Sequence, residues 1–509
     1  MRQYEMFELN FTGAAPMGSA AIVDLSAVFT IGGEEKQVKG FYAGGGCYKV
    51  RFLPQTTGTC CWKVDTTLKL SGALEGQEDC LAADEGRHGL VKASGTHFVH
   101  EDGTRYVPVG TTVYALIHQE KALVDQTMDT LRKAPFNKIR FCVFPKHYDF
   151  NLNEPELFAF EKVDEKWDVD RPCFAFWDML ESRMGELDAM GIEADLILFH
   201  PYDHWGFAEL SMDECMVYLD YLTRRLSAFP NLWWSLANEY DLMEHFEEDR
   251  WFTFAQLIHD QDPYGHLLSN HQCLKLWDFT EKNTTHCCIQ GANMIRTPDM
   301  LEKYKKPVVF DECCYEGDIP YSWGNISGFE LVNRFWTAYT LGAYCSHGET
   351  FWNEDEVLWW GKGGVLHGES PERIGFMRSV IEGLPGDLEP ENSQFDRKVL
   401  REAMADPQRA ATIPTVVKCI ANLSDAAFTE FMDGNREISG ACGDDAFLYY
   451  YARHCCRWAD IKLPEDKNYR IEVIDVWDMT RETVNTCASG QVRVPLPGKE
   501  GMAVLARRI

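Results

Sequence analysis

The hydrophobic pattern changes twice along the chain. Over about the first 95 residues, apolar and polar positions alternate in short runs separated by glycine-rich turns, which predicts a small β-sandwich. From about Tyr106, short apolar runs alternate with longer stretches of helical period, which is typical of βα units around a parallel sheet. Near the end, strand-like runs return at 448–451, 469–477 and 492–505.

Eight apolar runs in the middle region are candidate strands of a closed barrel. They lie at 106–109, 138–144, 193–199, 232–236, 267–270, 287–290, 307–310 and 343–347. We therefore predict an α/β protein with a (β/α)8 TIM barrel at 96–385, an N-terminal β-sandwich at 1–95 and a small C-terminal all-β domain at 410–509. The polar, proline-containing stretch 386–409 is predicted to be a linker or a surface helix.

Charge and length narrow the range of partners. The 509 residues include 49 Lys and Arg against 79 Asp and Glu, a net charge of −30, and basic residues do not cluster. Such a chain would repel a phosphate backbone, so no nucleic acid partner is expected. The N-terminus does not resemble a signal peptide, and no apolar run approaches the ~20 residues that span a bilayer. A cytoplasmic location without a membrane partner is predicted, and a homo-oligomer is left open.

The cysteines and histidines do not indicate a metal site. None of the 18 cysteines is spaced as C-x-x-C, so they are interpreted as small apolar fillers in a reducing compartment. His200 and His204 form an H-x-x-x-H pair, but Pro201 between them argues against the helix that such a pair needs. No metal and no cofactor are expected.

Two predicted strand ends carry the candidate chemistry. In a (β/α)8 barrel the reactive groups lie at the carboxyl ends of the strands. Glu239 follows the fourth predicted strand and Glu312 the seventh, each just beyond an apolar run. Two carboxylates that face one pocket are what glycoside hydrolysis requires, because one donates a proton while the other attacks or activates water.

Other carboxylates compete for these roles. Asp241, Glu316 and Glu349 also follow predicted strands. Glu316 would be the nucleophile if the seventh strand ended later than residue 310. A glutamate at a strand end is also often only a solvated loop residue, so each site alone has a structural alternative.

Longer motifs carry a family resemblance. They are Phe199-His200-Pro201-Tyr202-Asp203, Ala237-Asn238-Glu239-Tyr240-Asp241, Asp311-Glu312 with Tyr315-Glu316-Gly317-Asp318, and His347-Gly348-Glu349-Thr350. Together they resemble the apiosidase-like bacterial glycosidases of clan A, and the resemblance covers nearly the whole chain. It implies a retaining mechanism in which Glu239 is the acid/base and Glu312 the nucleophile. The Cys313-Cys314 pair departs from the aromatic or glycine residues expected in relatives.

Further side chains near the strand ends are predicted to bind the substrate. Arg140 and Asn238 are placed to hold the nucleophile ionised, and the resemblance supports such an arginine on strand two. Aromatic faces stack on sugars while polar groups hold hydroxyls. The predicted substrate contacts are Arg140, His200, Asp203, Trp205, Asn238, His271, Tyr315, His347, Glu349 and Trp360.

The sequence thus favours a retaining exo-glycosidase that hydrolyses O-glycosidic bonds of small glycosides or plant-derived oligosaccharides. An endo-acting glycanase of the same clan and a non-catalytic carbohydrate-binding barrel are the alternatives. A serine hydrolase and a nucleotide-binding enzyme are disfavoured, since neither G-x-S-x-G nor a phosphate-binding glycine motif occurs. The sugar is left open among apiose, xylose, glucose, galactose and arabinose.

Overall fold

The computed structural model describes residues 1–391 and 397–509, which divide into two compact units. The first unit comprises Met1–Gly291, Tyr304–Gly328 and Cys345–Pro371, and the second comprises Ala292–Lys303, Phe329–Tyr344 and Glu372–Ile509. Within the described residues, no helix combines the length and the apolar character that crossing a membrane requires.

The first unit begins with two antiparallel sheets that share one hydrophobic core. Their strands run in the orders β1-β5-β4 and β3-β2-β6-β7. In β2, every second residue from Leu25 to Ile31 is buried, and Phe29 of this strand stacks on Phe52 with ring centroids 4.2 Å apart. The predicted sandwich is confirmed. The strands are β1 (Phe7–Thr12), β2 (Leu25–Ile31), β3 (Glu34–Lys39), β4 (Phe41–Gly44), β5 (Cys47–Phe52), β6 (Gly58–Thr66) and β7 (Glu75–Cys80).

The predicted first barrel strand at 106–109 is misplaced. Residues there end a small antiparallel sheet formed by β8 (Val91–Ser94), β9 (His97–His100) and β10 (Arg105–Tyr106), and the barrel begins at β11 (Gly110–Thr112). A Cβ atom on Gly110 would lie 2.2 Å from Ser346 Oγ on the eighth strand. The close approach at this seam requires a glycine, and the resulting Gly-Thr-Thr strand has no apolar signature.

Eight parallel strands form the barrel in chain order. The first strand pairs with both the second and the eighth, and a bridge between His271 and Cys288 joins the fifth to the sixth. The predicted TIM barrel is therefore confirmed. Besides β11, its strands are β12 (Lys138–Cys142), β15 (Glu193–Phe199), β16 (Leu232–Ala237), β17 (Leu267–Ser269), β18 (Cys287–Gln290), β19 (Val308–Glu312) and β21 (Tyr344–His347). Two small pairs lie in the loops, β13 (Phe160–Val163) with β14 (Lys166–Pro172), and β20 (Glu316–Gly317) with β22 (Glu349–Thr350).

Helices follow most of the barrel strands. In the third of them, Cys215, Leu219, Leu222 and Leu226 are buried at the predicted helical spacing, and Ser211 with Glu214 forms a capping box. Residues 270–286, all of them described, contain no helix. The helices are α1 (Lys121–Leu131), α2 (Phe174–Ala189), α3 (Met212–Leu226), α4 (Glu248–Gln261), α5 (Thr297–Tyr304), α6 (Gly328–Thr340), α7 (Trp359–Lys362) and α8 (Ser370–Glu382).

The second unit ends in a six-stranded and a two-stranded sheet, which confirms the predicted C-terminal β domain. The six strands run in the order β23-β24-β25-β30-β27-β28, and β26 pairs with β29. These strands are β23 (Glu389–Pro390), β24 (Ile438–Cys442), β25 (Ala446–Tyr450), β26 (Trp458–Lys462), β27 (Tyr469–Asp475), β28 (Thr480–Ala488), β29 (Gln491–Pro495) and β30 (Met502–Arg508).

Four helices lie between β23 and β24; the first falls within 386–409, the stretch predicted to be a linker or a surface helix, and the last two fall within the predicted all-β domain. They are α9 (Arg397–Ala405), α10 (Pro407–Thr412), α11 (Thr415–Ala421) and α12 (Asp425–Asn435). Neither α9 nor α10 has a buried residue, so both lie at the surface of the part of the chain that the structure describes. Of the stretch predicted as a linker or surface helix, 392–396 lies outside the described residues. The division into three domains at the stated boundaries stays a prediction.

Candidate active site

The two glutamates at the predicted strand ends face the same amide. Glu312 is the last residue of β19, and Glu239 follows β16 in a left-handed conformation with φ 55°. Gln290, the last residue of β18, places its Nε2 2.9 Å from Glu239 Oε1 and 3.0 Å from Glu312 Oε2. Since both oxygens contact one nitrogen, they lie within roughly 6 Å of each other. The barrel therefore brings the two carboxyl groups into one site.

Each carboxyl group also receives a tyrosine hydroxyl. Tyr114, which follows β11, donates to Glu312, and its Oη lies 2.9 Å from Asn238 Oδ1. Tyr202, which follows β15, donates to Glu239. Donors that converge on a carboxylate favour its ionised form and fix its orientation.

Arg140 and His271 lie beside Glu312. Arg140 Nη1 is 3.9 Å from Glu312 Oε1, and Nη2 is 3.5 Å from Asn238 Oδ1. His271 accepts the main-chain N–H of Glu239 at its Nδ1, 3.4 Å away, and its Nε2 is 4.0 Å from Glu312 Oε1. Burial and then the Arg140 charge hold the pKa of His271 well below its usual range. A neutral His271 thus carries its proton on Nε2, on the side of Glu312.

A buried ionic layer inside the barrel positions Arg140. Lys138 Nζ lies 2.6 Å from both Asp195 Oδ2 and Asp311 Oδ1, and Arg140 Nε is 3.7 Å from Asp195 Oδ2. Burial opposes ionisation of Asp311, but the Lys138 and Arg140 charges prevail and hold the pKa of this carboxyl below its usual range. The layer fixes the guanidinium that faces Glu312.

The carboxyl pair shares its protons. Burial, and after it the charge of Glu239, raises the pKa of Glu312 to about 7. Two carboxylates this close do not both ionise readily, so near neutral pH the pair holds one proton. One acid and one carboxylate are thus present together, which is the state that glycoside hydrolysis needs.

Aromatic rings surround the same site. Tyr315 and Trp360 belong to one buried cluster with Tyr114, and Trp360 meets Tyr114 edge-to-face with centroids 5.9 Å apart. Tyr148 and Trp323 pack against this cluster. Of the predicted substrate contacts, the barrel thus brings Arg140, Asn238, His271, Tyr315 and Trp360 to the two glutamates.

The other five predicted contacts are engaged by protein groups. The His200 imidazole lies 3.1 Å from the carbonyl of Phe144, and burial lowers its pKa to about 3. Asp203 accepts three main-chain N–H groups of its own turn, and Trp205 donates to Glu154. His347 stacks on Phe136, and Glu349 accepts the N–H groups of His367 and Gly368. Among the described residues, no hydrogen bond joins these five to Glu239 or Glu312.

The rival carboxylates also bind backbone. Asp241 accepts the N–H groups of 273, 274 and 275, and Glu316 accepts those of 369 and 370. Their oxygens therefore hold loops in place. No group of three or more His, Cys, Asp and Glu within the described residues is arranged to hold a metal ion.

Sequence reasoning missed four side chains at the site. Tyr202 lies within a quoted motif, and Gln290 ends the sixth predicted strand, so position alone marks both. The predicted first strand begins four residues before β11, so its end does not reach Tyr114. Lys146 follows β12, and its Nζ lies 3.6 Å from the ring centroid of Tyr114.

Solved structures with a similar fold include proteins described as glycoside hydrolases. A Bacteroides vulgatus protein assigned to the glycoside hydrolases is 30% identical, with a TM-score of 0.87 over 100% of this chain and 99% of that one. A Bacteroides vulgatus glycoside hydrolase of family 5, at 14% identity, shares the fold with a TM-score of 0.59 over 82% of this chain and 94% of that one. No curated protein matches the sequence. The protein is a glycoside hydrolase built on a TIM barrel.

Family matches make the assignment narrower. The model of the apiosidase-like catalytic domain matches residues 92–368, so the chain belongs to the apiosidase-like family. Two domains of unknown function match residues 1–67 and 436–507.

Proposed function

We propose that the protein is a retaining exo-glycosidase that acts by double displacement, with Glu239 as acid/base and Glu312 as nucleophile. The contact of both carboxyl groups with Gln290 Nε2 carries this proposal. Retaining enzymes place their two carboxyl groups ~5–5.5 Å apart, whereas inverting enzymes leave ~6.5–9.5 Å for a water molecule. Oxygens that share one amide nitrogen fit the shorter separation.

The first step transfers the sugar to Glu312. Glu312 attacks the anomeric carbon while Glu239 gives its proton to the glycosidic oxygen, so an ester bond forms as the glycosidic bond breaks. Contacts with Tyr114, Arg140 and Gln290 favour the ionised form of Glu312, against the burial and the Glu239 charge that raise its pKa. In the second step Glu239 takes a proton from water, the water oxygen attacks the anomeric carbon, and Glu312 leaves as a carboxylate.

The rim of the site supports exo action on small glycosides or plant-derived oligosaccharides. Tyr321 of the loop after β19 donates to Asp149 of the loop after β12, and the Tyr321 ring stacks on Trp323. Trp323 lies 5.0 Å from Trp360, ring to ring. Two loops that join beside the cluster favour a pocket over the open groove of an endo-acting enzyme. A cytoplasmic location and a bacterial source stay predictions from the sequence and the resemblance.

The test is sugar release from a panel of aryl glycosides and plant oligosaccharides, with the anomer of the first product identified by NMR. We expect retained configuration, loss of nearly all activity in Glu312→Ala, and partial recovery with azide, which fits the space left by the carboxylate. Glu302→Ala, an exposed glutamate on α5, is the matched control. An inverted product, or full activity in Glu312→Ala, would contradict the proposal. Sugar binding without cleavage would favour a carbohydrate-binding barrel.

A further inference from the structure

Lys146 lies in a cage of aromatic rings beside the two glutamates. The residue is only 5% exposed. Its Nζ lies 3.6 Å from the ring centroid of Tyr114, 4.2 Å from that of Tyr202, 5.3 Å from that of Trp360 and 5.7 Å from that of Tyr148. We call these four rings the lysine cage.

The ammonium lies against ring faces. Among the described residues, no oxygen lies within hydrogen-bond distance of Lys146 Nζ, and no carboxylate forms an ion pair with it. Burial lowers the pKa of this group, while the charges of Glu239 and Glu312 oppose that effect. Ring faces attract a cation, but they are weak hydrogen-bond acceptors for its three N–H groups. The rings leave the N–H groups of Lys146 without a strong acceptor, so an oxygen acceptor on a bound molecule would stabilise the ammonium.

The place of the cage shows where that acceptor comes from. Tyr114 and Tyr202 present their rings to Lys146 and their hydroxyls to Glu312 and Glu239, respectively. The ammonium is therefore within one tyrosine ring of each carboxyl group. A sugar held with its anomeric carbon at Glu312 would bring its own oxygens next to Nζ.

We propose that Lys146 is a specificity-determining substrate contact, whose ammonium donates to an oxygen acceptor of the sugar bound between Glu239 and Glu312. This inference rests on the proposed function. The acceptor is either a ring hydroxyl or the carboxylate of a uronic acid, since both offer the same oxygen chemistry. A hydrogen bond to a charged donor corresponds to about 10- to 100-fold in kcat/KM.

The experiment pairs changes in the enzyme with changes in the substrate. Wild type and Lys146→Met are assayed on the cleaved glycoside, on each of its monodeoxy analogues and on the matching uronide. If a hydroxyl is the acceptor, one deoxy analogue should lose about 10- to 100-fold on wild type and nothing further on Lys146→Met. If a carboxylate is the acceptor, wild type should prefer the uronide, and Lys146→Met should lose that preference.

Lys162→Met is the matched control. Lys162 is an exposed lysine whose Nζ lies 4.6 Å from the ring centroid of Trp167 in the β13–β14 hairpin. The Lys162→Met variant removes a lysine that lies over an aromatic ring away from the two glutamates. We expect its kcat/KM to be unchanged on every substrate. Lys146→Arg keeps the charge and is expected to retain part of the discrimination.

Two results would overturn the inference while the proposed function stands. Lys146→Met could lose an equal factor on every substrate, or lose nothing on any. Should Lys146→Met not fold, the wild-type series decides alone. The contact is refuted if every deoxy analogue and the uronide stay within about threefold of the kcat/KM of the parent glycoside. If wild type cleaves no glycoside, the proposed function fails separately, and the same comparison is made by calorimetric binding of the sugars.

Discussion

Replacing Gln290 by methionine removes one donor from both carboxyl groups while it preserves the length of the side chain. Gln290 Nε2 is the atom that contacts Glu239 Oε1 at 2.9 Å and Glu312 Oε2 at 3.0 Å. Both contacts stabilise the ionised forms, so their loss should raise the apparent pKa of the pair.

The size of this pKa shift follows from the two contacts of Gln290. A hydrogen bond to a charged group contributes ~1.5–3 kcal/mol, and one pKa unit corresponds to ~1.4 kcal/mol. The acidic limb of the activity profile reports an apparent pKa of the carboxyl pair as a whole. We therefore expect this limb to move upward by about one to two pH units. In wild type the alkaline limb, at which the pair loses its last proton, should lie near the pKa of about 7 to which burial and Glu239 raise Glu312. On the acidic side of the profile, kcat/KM of Gln290→Met should fall by roughly 10- to 100-fold relative to wild type.

The assay is kcat/KM for one cleaved glycoside between pH 4 and 9. Gln272→Met is the matched control, because Gln272 is also buried but its Nε2 donates to the main-chain oxygen of Gln290, 3.0 Å away, and to no carboxylate. Its acidic limb should stay in place. A Gln290→Met profile that superimposes on that of wild type would refute the assignment of Gln290 as the shared donor.

Three further predictions concern single contacts. Tyr202→Phe removes the donor to Glu239 and should lower kcat/KM by ~10- to 100-fold with little change in Tm. A clear drop in Tm alongside the loss of activity would point to a packing role instead. Burial raises the pKa of Glu193 from 4.5 to about 8, so its contribution to stability is complete below pH 4.5 and is lost as pH rises through 8. Glu193→Gln should therefore raise the free energy of unfolding by roughly 2–4 kcal/mol at pH 9 and hardly change it at pH 4, measured in urea. A Cβ atom on Gly368 would lie 2.3 Å from Glu316 Oε2 and 2.7 Å from Glu349 Oε2, so Gly368→Ala should lower Tm, whereas Gly361→Ala, with no atom within 4 Å, should not.

The local hydrophobic pattern was sufficient to predict the bounds of a strand where that strand is buried on both faces. The predicted bounds of β15 and β18 agree with the structure at both ends, because a continuous apolar run stands out from its polar surroundings. The same contrast revealed Glu239 and Glu312, since a charged residue directly beyond such a run is conspicuous. β11 was missed because its Gly-Thr-Thr sequence reflects the close approach of Gly110 to Ser346, a neighbour 236 positions away.

The sequence by itself determined the barrel, the flanking β domains and the strand ends where chemistry is expected, because these follow from short-range periodicity and from composition. It offered several carboxylates there, and the family resemblance favoured Glu239 and Glu312 among them. The tertiary structure gives the physical difference: the oxygens of Glu316 and Glu349 bind the backbone of 367–370, whereas Glu239 and Glu312 share Gln290. It likewise placed Lys146 against the rings of Tyr114 and Tyr202. Such contacts depend on which strands become neighbours when the barrel closes, and no spacing along the chain encodes that directly.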